Sequence, residues 1–434
     1  MAELRRRSLA VLLLLGVFLL FFTIFLVQYG FCAYTWATSR GNANSIGIVT
    51  DREGERLLTN AKVKTYSSDE SLRKATVHLL GDRQGNVPAS VLSYYGGKGH
   101  SYNLLNGLYS YGGSRIRARL TISAQLQKAA FTALGDRKGT IAVMNYRTGE
   151  ILCAVSSPAF DPDKKGEAVD SMYVNRFFGG LYTPGSIYKL VTLAASLEEI
   201  PEVEKRTFTC TGELHFGTDK ITCPKHHGKQ TLQEAFANSC NCVFATLAAE
   251  LGEEKMTTYA EKFGLTQRMT FDGITTAAGR YNADVSLPWS GAGQGDNKIN
   301  PCSFLTFVSA VARDGWGIRP YLMDSIRDGY QTLYRAETAE MQRIISTETA
   351  AILQTYLRSN VSEKYGDEYF PGFKVCAKTG TAEVGTGKPN ALLCGFSLDN
   401  ICPVAFIIIV EDSGSGGSVC LPIAASILGS LVDS

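Results

Sequence analysis

Three arginines and then a long run without a charge open the chain, MAELRRRSLAVLLLLGVFLLFFTIFLVQYGF. Arg5, Arg6 and Arg7 precede about twenty apolar residues, Ser8 to Val27, enough for a helix to cross the ~30 Å hydrocarbon core of a bilayer. No Lys or Arg comes after them until Arg40, so the N-terminus is expected to stay in the cytoplasm and the bulk of the chain to lie outside it. A cleaved secretory signal has a shorter apolar core and a small-x-small site after it. Gln28-Tyr29-Gly30-Phe31 offers no such site, and the bulky Phe31 stands before Cys32, where a lipoprotein signal has a small residue. Residues 1–28 are therefore expected to be a cytoplasmic tail and an uncleaved transmembrane anchor.

Beyond this segment the chain is long enough for a large core. It has 434 residues in all, 45% of them hydrophobic, and 43 basic against 41 acidic side chains. That balance gives no electrostatic case for a nucleic-acid partner. Eleven cysteines, an odd number, leave at least one without an intramolecular disulfide. Cys153, Cys376 and Cys394 lie inside apolar strand-like runs and read as small buried hydrophobes. Cys240 and Cys242 diverge on one helix and read the same way. Cys210 and Cys223 bracket a Gly-containing stretch, TCTGELHFGTDKITC, and a bridge between them is left open, since exported proteins permit one. His226 and His227 come directly after it, yet the spacing fits no strong zinc pattern.

Residues 29–116 read as an irregular extracytoplasmic pedestal, with polar runs such as TYSSDESLRK and the glycines of YYGGKGH and YGGSR. His78 and His100 are isolated there and suit surface or packing roles. From Arg119 the pattern becomes regular, and 117–434 is expected to form one domain. Ser123 precedes apolar residues at helical spacing that stop at Gly135. TIAVMNY and ILCAVSS flank Arg147-Thr148-Gly149-Glu150 as a hairpin. TLQEAFANSCNCVFATLAAEL reads as two helical pieces broken at Asn238-Ser239. GFKVCAKTGTA, ALLCGFSLD and ICPVAFIIIVED supply three strands, and LPIAASILGSLV a covering helix. The fold class is α+β.

Three short motifs carry chemistry. In TPGSIYKL, Ser186 and Lys189 are three apart, so a helix starting there puts both on one face. A serine hydroxyl needs a base within hydrogen-bond reach. A neutral lysine can serve if desolvation or a nearby positive charge pulls its pKa well below about 10.4. Lys378, ending an apolar strand in VCAKTGTAE, can provide that charge, and Thr379, Gly380 and Thr381 can meet a substrate lying along the strand edge. Between them Ser239-Cys240-Asn241 offers a hydroxyl and an amide at the helix break. SLRK (Ser71, Lys74) and Ser101-Tyr102-Asn103 share the first two spacings but have no third element in register. Gln294 and Asp296, in GAGQGD, read as loop-shaping residues.

Serine-x-x-lysine, serine-x-asparagine and lysine-threonine-glycine, in this order, form the signature of penicillin-binding proteins and related β-lactamases. From about Arg119 onward the chain resembles the transpeptidase domain of class B penicillin-binding proteins, through LTISAQLQ, YRTGEILCAVSSPAFDP, NRFFGGLYTPGSIYKL, EAFANSCN, GAGQGD and KTGTAEVGTGKPNALLCGF. VHLLGDRQGNV and YNLLNGL resemble that family's N-terminal region. The resemblance implies an antiparallel sheet flanked by helices, β-lactam inhibition and D,D-transpeptidation of peptidoglycan stem peptides. Ser186 would be the nucleophile, Lys189 its base and Ser239 the proton relay. Asn241 would hold the substrate amide, Lys378 and Thr379 would bind its terminal carboxylate, and the N–H groups of Ser186 and Thr381 would form the oxyanion hole. No metal or organic cofactor is implied. With no candidate glycosyltransferase segment, the partner implied is a membrane-embedded glycan polymerase. A D,D-carboxypeptidase, a β-lactamase and a non-catalytic anchored scaffold are the alternatives; the anchor, the pedestal and the KTGTAE context argue against the β-lactamase.

Overall fold

A computed structural model of the chain describes residues 2–432 apart from 40–45, 61–63, 89, 97–99, 104–107, 112–115, 165, 167–168, 218, 284–285, 330 and 386. Parts of YYGGKGH, YGGSR and YNLLNGL lie outside the described residues, as do the side chains of Cys32, His100 and Ser101–Asn103. Helix α1 runs Ala2–Ser39, and its Ala2–Gly30 portion is long and apolar enough to cross a membrane.

The pedestal segment is more regular than its composition suggests. Strands β1 (Ile48–Thr50), β2 (Arg56–Asn60) and β3 (Lys64–Tyr66) lead to helix α2 (Glu70–Leu80). Asp69 caps α2 by accepting the Leu72 N–H, and Leu72, Ala75, Thr76 and Leu79 form its buried side. The irregular reading of TYSSDESLRK is thus corrected: polar residues crowd the outer face and mask the apolar period. Lys74 of the SLRK decoy pairs with Glu70 at 2.8 Å, on the helix surface. His78 is buried, its Nε2 lies 2.8 Å from the Met172 carbonyl, and desolvation pushes its pKa down to about 4. It packs as a neutral ring.

Strand β4 (Ile116–Leu120) pairs parallel to β1 and buries Ile116, Ala118 and Leu120 while Arg117 and Arg119 point outward. Helix α3 (Ala124–Leu134) starts at the Ser123 cap, ends at Gly135, and precedes the hairpin β5 (Gly139–Asn145) and β6 (Ile151–Ser157). Helix α4 (Lys189–Glu199) is followed by a ribbon of four short strands, β7 (Thr207–Cys210), β8 (Glu213–Phe216), β9 (Asp219–Thr222) and β10 (Gly228–Thr231). Within it β7 pairs with β10 and β8 with β9. Helices α5 (Leu232–Ala237) and α6 (Asn241–Lys262) come next, α6 being broken at Gly252. Helix α7 (Pro301–Ala312) leads to β11 (Met323–Asp328) and β12 (Gln331–Arg335). These two strands complete the pedestal's sheet, whose order is β12-β11-β4-β1-β2-β3. That sheet therefore draws on chain from both sides of residue 116.

After α8 (Thr347–Ser359) come β13 (Val375–Ala382), β14 (Asn390–Ser397), β15 (Val404–Val410) and α9 (Gly416–Val432). The central sheet is antiparallel throughout, in the order β13-β14-β15-β5-β6. Its inner strands are buried on both faces, which is why they read as continuous apolar runs. Leu393, Ile408 and Val143 pack with α3 and α9, whereas Leu392, Ile407 and Ala142 pack with the helices of the α4–α8 side. β13 is an edge strand, and its Lys378 projects toward that helical side.

Candidate active site

The turn that carries Ser186 is wedged between two backbones. Gly185–Tyr188 form a 3-10 turn that runs directly into α4, after Pro184. Gly185 has φ +52 and donates its N–H to the Gly293 carbonyl at 2.9 Å. A Cβ on Gly185 would stand 2.4 Å from the Thr381 carbonyl oxygen, and one on Gly293 only 1.9 Å from the Gly185 oxygen. Glycine at both positions lets the loop GAGQG and strand β13 close on either side of the serine.

Lys189, one turn on, is fully buried, and its Nζ lies 2.7 Å from Ser186 Oγ. It also lies 3.3 Å from Ser239 Oγ and 2.8 Å from Asn241 Oδ1. Ser239 sits between α5 and α6 at φ +54, a left-handed conformation that costs energy in a non-glycine residue. The Cys240 N–H to the Ala235 carbonyl, 2.9 Å, closes the turn. Asn241 donates from Nδ2 to the Thr222 carbonyl at 2.8 Å, which orients Oδ1 toward Lys189. Lys378, also buried, brings Nζ to 3.2 Å from Ser239 Oγ and 3.0 Å from the Thr379 carbonyl, over the Phe236 ring. Ser186, Lys189, Ser239 and Lys378 thus form one continuous polar chain. Burial, and then the Lys378 charge, pull the Lys189 pKa down to about 7. Two buried ammonium groups this close would repel, and the chain relieves the conflict by making Lys189 easy to deprotonate.

Thr379, Gly380 and Thr381 lie within the edge strand, which runs on to Ala382 instead of ending at Lys378. Thr379 meets Tyr365 twice, N to OH at 3.1 Å and Oγ1 to OH at 3.0 Å. A Cβ on Gly380 would lie 3.0 Å from an Ile187 methyl carbon, so glycine admits the nucleophile's turn. Thr381 Oγ1 accepts the Gly416 N–H at 3.4 Å. A cavity of about 570 Å³ opens beside Asn241, lined by Thr222, Cys223, Trp289, Gln294 and Glu383 among others. Gln294 therefore faces the cleft rather than only shaping its loop, while Asp296 pairs with Arg280. Tyr365 escaped the sequence reading because a single tyrosine in an irregular helical turn has no spacing to betray it. The ten described cysteines are all unbridged, Cys210 and Cys223 included. Cys240 is buried, and its Sγ lies 3.6 Å from that of Cys223.

Known proteins share sequence and fold with this chain. Residues 139–429 match the family described as penicillin binding protein transpeptidase domain. The chain is 29% identical over 348 residues to "Peptidoglycan D,D-transpeptidase PbpA" of Mycolicibacterium smegmatis, covering 70% of each chain. It is 32% identical over 341 residues to "Stage V sporulation protein D" of Bacillus subtilis, covering 71% of this chain and 52% of that one. Among solved structures, the D,D-transpeptidase domain of a peptidoglycan glycosyltransferase from Eggerthella lenta superposes with a TM-score of 0.76 at 25% identity, covering 89% of this chain and 98% of that one. A ceftriaxone acyl-enzyme complex of penicillin-binding protein A from M. tuberculosis, at 22% identity, shares the fold with a TM-score of 0.76 over 90% of this chain and 99% of that one.

Proposed function

This chain belongs to the penicillin-binding protein transpeptidase family, and from that membership we propose that it is a serine D,D-transpeptidase that cross-links peptidoglycan stem peptides and is inhibited by β-lactams. The observation that carries the reading is a fully buried lysine with its Nζ 2.7 Å from the serine hydroxyl. Ser186 Oγ attacks the carbonyl of the penultimate D-alanine as its proton passes to neutral Lys189. Negative charge then develops on the carbonyl oxygen, facing the N–H groups of Ser186 and Thr381; such donors are worth about 3 kcal/mol each. Ser239, between the two lysines, relays a proton to the departing amine, the amide C–N bond breaks and D-alanine leaves. Asn241 holds the substrate amide, and Lys378 and Thr379 hold its carboxylate. The amine of a second stem peptide then displaces Ser186 and restores its proton. A β-lactam is attacked in the same way, but its leaving amine stays tethered to the acyl group.

The apolar Ala2–Gly30 helix supports a single-pass anchor. Arg5–Arg7 ahead of it support an N-terminus in the cytoplasm and a catalytic domain outside. A membrane-impermeant fluorescent penicillin tests both points on intact cells. The expected result is a covalent adduct on the peptide containing Ser186, lost in Ser186→Ala. No adduct in folded wild-type protein would overturn the acyl-serine mechanism, and labelling only after permeabilisation would overturn the orientation. The anchor and pedestal also support docking to a membrane-embedded glycan polymerase, which is expected to co-purify from detergent-solubilised membranes; its repeated absence counts against the partnership.

A further inference from the structure

We propose that Cys210, Cys223, His227 and Cys240 bind one zinc ion, which pins the Ser239 turn to the β7–β10 ribbon. The sulfur atoms and an imidazole nitrogen of these four residues all lie within 4.8 Å of one another. A tetrahedral zinc site with bonds of about 2.0–2.3 Å sets its ligand atoms roughly 3.3–3.8 Å apart. The Cys223–Cys240 pair, at 3.6 Å, already stands at such a separation, and the others, within 4.8 Å, need to close by no more than about 1.5 Å. Three thiolates and an imidazole form a soft, closed donor set suited to structural zinc.

Two further observations point to a ligand. Nδ1 of His227 is buried and has no hydrogen-bond partner among the described residues, a costly state for a polar atom that a metal or its outer contacts would relieve. Cys223 Sγ accepts the N–H groups of Asn241 and Cys242, at 3.1 and 3.4 Å, as a sulfur carrying negative charge would. The ribbon also needs a fastening. Its strands are four residues long and bury Cys210, Ile221 and Gln230 but little else. Two-stranded ladders of that size are marginal without support. The four ligands join the end of β7, the segment between β9 and β10, and the turn between α5 and α6. Binding displaces three thiol protons to solvent and leaves a site of net charge −1.

Cys240 stands between Ser239 and Asn241, so metal at this site would hold the strained serine and the amide beside Lys189. The metal would not touch substrate, and its presence does not depend on what the chain acylates. The full-length protein, purified in detergent under reducing conditions, is expected to carry one zinc per chain by elemental analysis. Replacement by Co2+ should produce thiolate-to-cobalt charge-transfer bands in the near ultraviolet and tetrahedral d–d bands in the visible. Cys210→Ser and His227→Ala should each lower zinc content several-fold, and Cys302→Ser, a buried thiol outside the cluster, should not. Chelation should slow fluorescent-penicillin acylation about tenfold or more, with recovery on adding Zn2+. Substoichiometric zinc after growth in zinc-supplemented medium, with no cobalt bands, would overturn the site. So would a Cys223–Cys240 disulfide found by peptide mapping of the non-reduced protein.

Discussion

Lys189 is placed where a charge is unwelcome from two directions, the surrounding apolar core and the ammonium of Lys378. With its pKa near 7, the neutral base rises from about a tenth of molecules at pH 6 to nearly all at pH 9. The second-order rate of acylation by a penicillin is therefore expected to climb about tenfold across that interval, with an inflection near pH 7. Replacing Lys378 by Met removes the repelling charge, so the inflection should move to higher pH as well as weakening carboxylate binding; an unmoved inflection would show that Lys378 does not tune the base. The motif residues were legible because their chemistry demands fixed types at short spacings and because all three motifs occur in order. Tyr365, which bonds the N–H and the hydroxyl of Thr379, was not, since its partner lies on another element and nothing local requires a tyrosine there.

At the level of elements, the nucleophile's position depends on how tightly a one-turn helix fits between loop and strand. An alanine at 185 would carry two costs, a left-handed backbone of roughly 1 kcal/mol and a Cβ 2.4 Å from the Thr381 oxygen. Gly264 has a similar φ of +72 with nothing within 4 Å of its would-be Cβ, so Gly264→Ala isolates the first cost. Both variants should melt lower than the parent in a thermal denaturation series, but only Gly185→Ala should lose acylation rate, by tenfold or more. Equal rates in the two would show that the wedge is not what holds Ser186. Hairpins, helix caps and apolar strands were readable from the sequence because turn chemistry and burial leave marks within a few residues. Helix α2 was missed because its outer face is almost wholly polar, and a composition-led reading averages the two sides.

Across the whole molecule, the pedestal's sheet could not be foreseen. β4 takes one neighbour, β1, from before it in sequence and another, β11, from about two hundred residues later, and no local pattern records that pairing. The central sheet was easier because three of its strands are consecutive. Its core also carries the charge of Lys189, whose pKa of about 7 in the folded chain contrasts with about 10.5 when unfolded. Below pH 7 both states hold the proton and the folded one bears the full penalty. Between about pH 7 and 10.5 the unfolded chain still binds a proton that the folded chain has released, so stability rises, by an amount on the order of 5 kcal/mol for this group alone. A Lys189→Met variant should accordingly melt higher than the parent at pH 7, with the gap narrowing as pH rises; a lower melting temperature would contradict the assignment. Heat resistance and turnover thus pull against each other at a single side chain. A screen that rewarded only survival on heating would discard the base first and return a sturdier, inert protein.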